Sequence, residues 1–216
     1  MTKTKPMTDN DMPAEVPGAA RRQPSQQRSR ERVERMLAAA QQIIAERGSD
    51  ALRMADVAER AGVSIGSLYQ FFPDKAAIIR SLAERCTSQS RACIEDGLAA
   101  VTDDAGLRQA FAGLVDAYYA MFLDDPAMCD IWSGMQADKG LRALEVAESR
   151  ITGAMLGAAI RRVRPDADPA ETELRGFLIM HLGEATMRLA VAVPRDEGDR
   201  LVAAYKAIAD TALAPG

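Results

Sequence analysis

The chain has 216 residues, of which 48% are hydrophobic and 27% charged, and its net charge is −4. This length allows one large domain or two small ones with an apolar core. No run approaches the ~18 apolar residues that a membrane helix needs, and the N-terminus lacks the apolar segment of a secretory signal. We therefore expect a cytoplasmic protein with no membrane partner.

Patterns typical of enzymes and metal sites are missing from the sequence. There is no glycine-rich phosphate loop and no HExxH, and one histidine leaves few general bases. Cys86, Cys93 and Cys129 form neither a zinc pattern nor a disulfide framework. We interpret them as small buried residues, with a redox switch as the alternative. We expect no enzyme, no metal and no other cofactor.

The charge is unevenly distributed along the chain. Residues 1–80 hold 13 lysines and arginines against 10 acidic residues, whereas the remainder holds 14 against 21. Six arginines fall within residues 21–35. A basic arm on an acidic body indicates a local phosphate-binding surface. The alternative is a solvated tail that happens to be basic.

Nearly all of the chain beyond residue 26 predicts helix, because apolar residues recur at helical spacing and alternating β-branched residues are absent. Residues 1–26 predict a disordered basic arm. We expect an all-α protein of about nine helices, with a DNA-binding domain at 27–75 and a larger domain at 76–216. The predicted helices cover about 27–47, 54–61, 64–71, a fourth opening at 73–74, 104–123, a short one opening at 125–126, 138–163, 169–193 and 196–213.

The most informative segment is 53–75, RMADVAERAGVSIGSLYQFFPDK. Two short helices joined by a tight turn containing Gly62 are the layout of a helix-turn-helix, here at about 54–73. On the second of these helices, Leu68, Phe71 and Phe72 share one face, which we expect to pack inward.

The opposite face of that helix holds Gly66, Ser67, Tyr69 and Gln70. Gly66 has no side chain to hold the helix away from a groove. The Ser67 and Tyr69 hydroxyls can donate to phosphate oxygens, and Gln70 can bind a base edge or a phosphate. The alternative is a helical hairpin with a solvated polar face.

Two residues beside this face also suit phosphate binding. Ser64 stands at the N-cap position, where free backbone N–H groups attract anions. Lys75 adds a positive charge at the start of the next helix.

The segment resembles the DNA-binding domain of the TetR family of repressors, a likeness that covers about residues 28–80. The pattern is far more specific than a bare helix-turn-helix. Its matching residues are Ala58, Ala61-Gly62-Val63-Ser64, Gly66-Ser67-Leu68-Tyr69, Phe72 and Lys75.

The resemblance implies roles for individual residues. Tyr69 and Lys75 match phosphate-binding positions, and Ser67 and Gln70 match positions that touch phosphates or bases. The arm that includes Arg28 and Arg30 matches extensions that enter the minor groove. Two departures stand out: many members carry Lys where this chain has Ile65, and a capping Thr where it has Arg53. Arg53 can reach a phosphate but cannot cap a helix.

The resemblance also implies a homodimer formed through about 169–213, the last two helices. Gly176, Gly183 and Ala190 keep one side of the first helix small, and Tyr205 and Ile208 add apolar surface on the second. The alternative is that these residues pack only within one chain. A dimer would place two recognition helices about one turn of DNA apart.

Apolar and aromatic side chains in the larger domain, with a few polar ones, can line a small-molecule pocket. His181 and Glu184 are three residues apart on one helix and can meet, as a buried pair rather than as a metal site. The alternative for the others is plain core. The candidate effector-binding residues are Phe111, Tyr118, Phe122, Trp132, Met135, Met155, His181 and Glu184.

These observations predict a sequence-specific DNA-binding transcriptional regulator. We expect a repressor that a small apolar or aromatic effector, not yet identified, releases from a pseudo-palindromic double-stranded DNA operator. The alternative is a helical protein-interaction adaptor that has lost DNA binding, and steep weakening of DNA binding with salt would argue against it.

Overall fold

The computed structural model describes the backbone of residues 19–137 and 139–215. It describes their side chains except at 19–25, 126, 133–139 and 141. Within this part of the chain there are nine helices and no strand, which confirms the predicted all-α class. The helices are α1 (Ala19–Arg47), α2 (Met54–Ala61), α3 (Ile65–Phe71), α4 (Lys75–Ala99), α5 (Asp104–Asp124), α6 (Pro126–Ala137), α7 (Lys139–Val163), α8 (Pro169–Val191) and α9 (Arg195–Leu213).

The first helix begins earlier than the apolar pattern predicts. Its backbone is helical from Ala19, whereas the sequence predicted disorder up to residue 26. Alanine, arginine and glutamine favour helix without any apolar stripe, so a periodicity argument misses such an extension. The rest of the predicted arm, 1–18, lies outside the described residues.

Helices α1, α2 and α3 pack into a small bundle around buried apolar side chains. Leu68 of α3 is fully buried, Phe72 nearly so, and Phe71 is half-buried, as the helical spacing predicts. They meet Val57 and Ala58 of α2 and Met36 and Ile43 of α1 in one continuous core. This core fixes the direction in which the polar face of α3 points.

Helices α4 to α9 form the larger bundle, in which α7 and α8 cross very closely. Gly153 and Gly176 lie at the crossing, and a Cβ on Gly176 would collide with the Gly153 backbone. A Cβ on Gly183 would lie 2.8 Å from the Tyr205 hydroxyl, which donates to the Ile179 carbonyl at 2.7 Å. The small side of α8 therefore packs against α7 and α9 of its own chain.

This packing corrects one sequence interpretation. Gly176, Gly183, Ala190 and Tyr205 are buried inside the chain and do not supply an exposed dimer surface. Glycine in a helix permits close approach by any neighbour, and the sequence does not say whether that neighbour belongs to the same chain. Of the residues proposed for that surface, Ile208 remains exposed.

Helices α1, α4 and α6 connect the two bundles. The Gln41 amide of α1 donates to Asp125, just before α6, at 2.6 Å, and Arg85 of α4 donates to Glu34 of α1 at 3.0 Å. α4 itself runs from beside α3 into the larger bundle. A displacement of α4 or α6 would therefore also displace helices of the small bundle.

The three cysteines are free thiols. Cys86 and Cys129 are half-buried, and burial raises the pKa of both thiols. Cys93 is exposed, contrary to the expectation that all three are buried. Among the described helices, none combines the length and apolar composition needed to cross a membrane.

Candidate functional site

The turn between α2 and α3 has the geometry of a helix-turn-helix. Gly62 ends α2 in the left-handed region, at φ 65°, and its backbone N–H bonds back to α2. Ser64 caps α3 by accepting a hydrogen bond from the Ser67 N–H at 3.2 Å. A left-handed residue suits glycine because it has no Cβ to clash. The turn and cap therefore form as the sequence predicts.

The outer face of α3 presents Gly66, Tyr69 and Gln70, all exposed. Tyr69 is 51% exposed, and a Cβ on Gly66 would meet nothing within 4 Å. Ile65, at the start of the helix, is 44% exposed. An open, polar helix face of this kind can enter a DNA major groove.

Ser67 differs from the other residues predicted on this face. It lies at the flank of α3, and its Oγ is buried without a hydrogen-bond partner in the described part of the chain. Its hydroxyl would have to rotate outward to reach a phosphate.

The predicted basic residues are all exposed. Arg53 precedes α2 in an extended conformation, is exposed, and makes no capping hydrogen bond, as predicted. Lys75 is exposed, and its Nζ donates to the Asp50 carbonyl at 3.4 Å. Arg28 and Arg30 are exposed on α1, about three turns from its start. All four cations are accessible to a polyanion.

Two ion pairs hold α2 on α1 behind this surface. Arg60 binds both Glu46 carboxylate oxygens, at 2.7 and 2.8 Å, and lowers the pKa of that carboxyl. Arg47 lies 3.5 Å from Asp56. Such exposed pairs contribute little stability, so their main effect is to orient α2.

The larger bundle contains a partly open cavity of about 100 Å³. An engineered apolar cavity of about 150 Å³ holds benzene, so this space suits a molecule of about one ring. Every helix from α4 to α9 contributes to the wall, which is mostly apolar. The lining residues are Thr87, Ser90, Cys93 and Ile94 (α4), Phe111, Leu114, Val115, Ala117, Tyr118 and Met121 (α5), Trp132 (α6), Glu148 and Thr152 (α7), Met180, Gly183, Glu184 and Met187 (α8) and Tyr205 (α9).

Four of the predicted effector-binding residues line this cavity: Phe111, Tyr118, Trp132 and Glu184. Phe122 is instead buried beside it, with its ring edge-on to Tyr118 at 5.0 Å between centroids.

Two further candidates do not join the wall. Met155 and His181 are half-buried but do not line the cavity. The side chain of Met135 lies outside the described residues.

Sequence reasoning missed the contribution of α4 and α7. The α4 residues belong to a helix whose apolar stripe we interpreted as packing, and Glu148 lies within a helix rich in charge. A carboxylate at a core-facing position of an amphipathic helix was the available signal for Glu148.

Several polar atoms in the cavity wall have no hydrogen-bond partner in the described part of the chain. They are Ser90 Oγ, Trp132 Nε1 and Glu148 Oε2. Trp132 is 2% exposed and Glu148 is 4% exposed. An unpaired buried polar atom costs free energy, which a suitable ligand group would recover.

His181 and Glu184 meet through Ser149 of α7. Its Oγ lies 3.0 Å from His181 Nδ1 and 3.0 Å from a Glu184 oxygen. Burial raises the Glu184 pKa to about 7, although the Ser149 hydrogen bond opposes the shift. Burial also raises the pKa of the Tyr118 hydroxyl well above its usual value, and the Glu184 charge adds to this.

Glu145, His181 and Glu184 bring possible metal-ligating atoms within 4.8 Å of one another. The Glu145 carboxylate, however, accepts a hydrogen bond from the Arg188 guanidinium at 2.6 Å. An arginine so close repels a second cation. We interpret this cluster as a hydrogen-bonded network, as the sequence favoured for His181 and Glu184.

The fold defines a helix-turn-helix DNA-binding protein. The second helix of the motif presents an exposed polar face after a tight turn, and a larger helical domain follows. Residues 36–82 match the family described as bacterial regulatory proteins of the tetR family. Residues 105–216 match the tetracyclin repressor-like C-terminal domain. The chain belongs to the TetR family and is a DNA-binding transcriptional regulator. Regulators of this family bind DNA operators and small effectors, and they form dimers.

Solved structures share this fold over most of their length. A TetR-family transcriptional regulator from Streptomyces coelicolor is 26% identical, with a TM-score of 0.67 over 86% of this chain and 97% of that one. FadR from Bacillus subtilis, in complex with stearoyl-CoA, is 18% identical, with a TM-score of 0.60 over 84% and 97%. RolR, in complex with resorcinol, is 20% identical, with a TM-score of 0.58 over 88% and 97%. No curated protein sequence matches the chain significantly.

Proposed function

We propose that this protein is a homodimeric repressor that leaves a pseudo-palindromic operator when a small apolar or aromatic effector fills the cavity. The observation that carries the proposal is the pairing of an open polar face on α3 with a mostly apolar, partly open cavity in the larger bundle. Neighbours of this fold hold ligands as different as stearoyl-CoA and resorcinol, so the effector must be inferred from this cavity itself.

Helix α3 is the proposed reader of DNA bases. Gly66 lets its backbone approach the groove, Gln70 can bond a base edge, and Tyr69 can bond a phosphate. Ser64 marks a helix N-terminus facing the same side, and Ser67 stands at the flank. Arg28, Arg30, Arg53 and Lys75 supply the surrounding phosphate contacts.

Dimerisation is supported by a row of large apolar residues on α8 that the described part of the chain leaves largely exposed. Leu174, Leu178, Leu182 and Leu189 are 43–62% exposed along this helix, and Ile208 on α9 is 62% exposed. Exposed leucines in a row are typical of an interface rather than of a free surface. We propose that two copies join these sides in a four-helix contact.

Effector binding would be transmitted through α4 and α6. Thr87 and Ile94 place α4 in the cavity wall, and its N-terminal end adjoins α3. Trp132 places α6 in the cavity wall as well. Asp125, which caps α6, accepts a hydrogen bond from Gln41 of α1. An effector that fits better when these helices are displaced would stabilise a state unable to bind DNA.

The proposal is tested by selecting genomic fragments with the purified protein at near-physiological salt and footprinting the enriched site. We expect one pseudo-palindrome protected on one face of two adjacent turns. Recovery of no sequence above background, with and without candidate effectors, would contradict the proposal.

A further inference from the structure

The charged groups in the cavity wall are all acidic. Glu148 and Glu184 line it, and the described lining residues include no lysine, arginine or histidine. Such a wall disfavours an anionic ligand.

Glu148 directs an unsatisfied acceptor toward this space. Its Oε1 accepts a hydrogen bond from Arg91 at 2.6 Å, whereas its Oε2 has no partner in the described part of the chain. The residue is 4% exposed, so water reaches it poorly. A ligand that donates a hydrogen bond would satisfy Oε2.

Glu184 has no ion-pair partner of its own among the described residues. It accepts a hydrogen bond from the Ser149 hydroxyl, while the nearby Arg188 is bonded to Glu145. Burial raises the pKa of Glu184 to about 7. Below that pH the carboxyl holds a proton unless a cation lies beside it. The other titratable groups around it are Glu145 and Glu148 of α7, Tyr118 of α5, Tyr205 of α9, and His181 and Arg188 of α8.

Aromatic rings complete the wall. Phe111, Tyr118 and Trp132 come from α5 and α6, and the faces of such rings attract cations. Carboxylates and aromatic rings together recognise a positively charged organic group better than a neutral one.

We propose that the ligand of this cavity is an organic monocation, a small apolar or aromatic molecule whose protonated amine lies against Glu148 and Glu184. This inference rests on the proposed function, because it takes the cavity to be the effector site. It narrows the effector from any apolar molecule to a class defined by charge.

Three probes of nearly equal shape test the charge requirement: benzylamine, benzyl alcohol and ethylbenzene. Trp132 is the only tryptophan in the sequence and lines the cavity, so its fluorescence reports binding to the full-length protein directly. At pH 8 we expect benzylamine to bind at least about tenfold more tightly than benzyl alcohol.

Glutamine variants of the two cavity glutamates test whether their carboxylates bind the amine. Glu184→Gln and Glu148→Gln should each reduce the preference for benzylamine over benzyl alcohol to about threefold or less, while leaving ethylbenzene binding nearly unchanged. Glu95→Gln, the same change at an exposed position of α4, should keep the full preference. Circular dichroism of each variant checks that it folds.

Proton release provides an independent readout. Below pH 7 the Glu184 carboxyl is protonated, so the amine must expel that proton, and benzylamine affinity should rise from pH 6 to pH 8. Calorimetry at pH 6 in two buffers of different ionisation enthalpy should detect release of up to about one proton per site. Glu184→Gln should abolish this release.

Two unfavourable results have different meanings. Equal affinity for the three probes would overturn the cation assignment, and so would an amine preference that both glutamine variants retain. Neither result would contradict the cavity as the effector site. Failure of all three to alter Trp132 fluorescence at millimolar concentration would overturn both the cation assignment and the cavity as an effector site.

Discussion

At the scale of single residues, Glu184 links ligand chemistry to stability. Its carboxyl lies in the cavity wall, and burial raises its pKa from 4.5 to about 7. Between these values the folded protein binds a proton that the unfolded chain does not. The free energy of unfolding therefore falls as pH rises through this window and levels off above pH 7.

Replacement of Glu184 by glutamine should remove this pH-dependent cost. Relative to wild type, we expect Glu184→Gln to be nearly neutral at pH 5 and stabilising at pH 8 by up to about 3 kcal/mol. Urea unfolding at both pH values, at one protein concentration, measures the difference. A stability difference that does not vary with pH would contradict the buried carboxyl as its origin.

Gln70 is the residue that we expect to contribute most to base reading, since its exposed amide can both donate and accept. Gln70→Ala should weaken operator binding by about 1–3 kcal/mol and relax specificity at one base pair. Fluorescence anisotropy with the footprinted operator measures both effects. Gln42→Ala, at an exposed position of α1, is the matched control, and equal affinity of the two variants would exclude Gln70 as a reader.

At the scale of secondary structure, local signals placed most helix ends. Ser64, Asp74, Asp103 and Asp168 each cap a helix by accepting a backbone N–H bond, and Gly62 ends α2. Caps depend on neighbours within three or four residues, which are visible in sequence. The start of α1 could not be placed in this way, because its polar first turns have no apolar stripe.

A glycine at the α7–α8 crossing and a glycine in open space should respond in opposite ways to replacement by alanine. A Cβ on Gly176 would collide with the Gly153 backbone, so Gly176→Ala should destabilise the protein by about 1–3 kcal/mol. A Cβ on Gly113, an exposed position within α5, would meet nothing within 4 Å. Gly113→Ala should therefore stabilise the protein by about 0.5–1 kcal/mol.

Thermal unfolding of both glycine variants at equal concentration provides the comparison. If Gly176→Ala unfolded at or above the wild-type temperature, the close contact between α7 and α8 at this position would be contradicted.

At the scale of the whole molecule, the exposed leucines of α8 predict a dimer. Leu178 is 55% exposed, and burial of that remainder between two copies would contribute about 0.8–1.6 kcal/mol for each copy. Leu178→Glu should lose this burial free energy and place a charge at the interface. We therefore expect the variant to be a monomer at micromolar concentration. Size-exclusion chromatography with light scattering reports the mass of each species.

The control for the dimer is Ala120→Glu, which adds the same charge at an exposed position of α5 and should leave the mass unchanged. A wild-type protein that is monomeric at micromolar concentration would refute the proposed interface.

The sequence by itself determined the helical class, the order of the helices and the chemistry of the α3 face, because periodicity, caps and turns are local properties. Only the tertiary structure decided which side chains meet. It placed Glu148 and α4 in the cavity wall, kept Phe122, Met155 and His181 out of it, and turned the glycines of α8 inward. A cavity is formed by residues far apart in the chain, and their convergence depends on how helices cross rather than on any one helix.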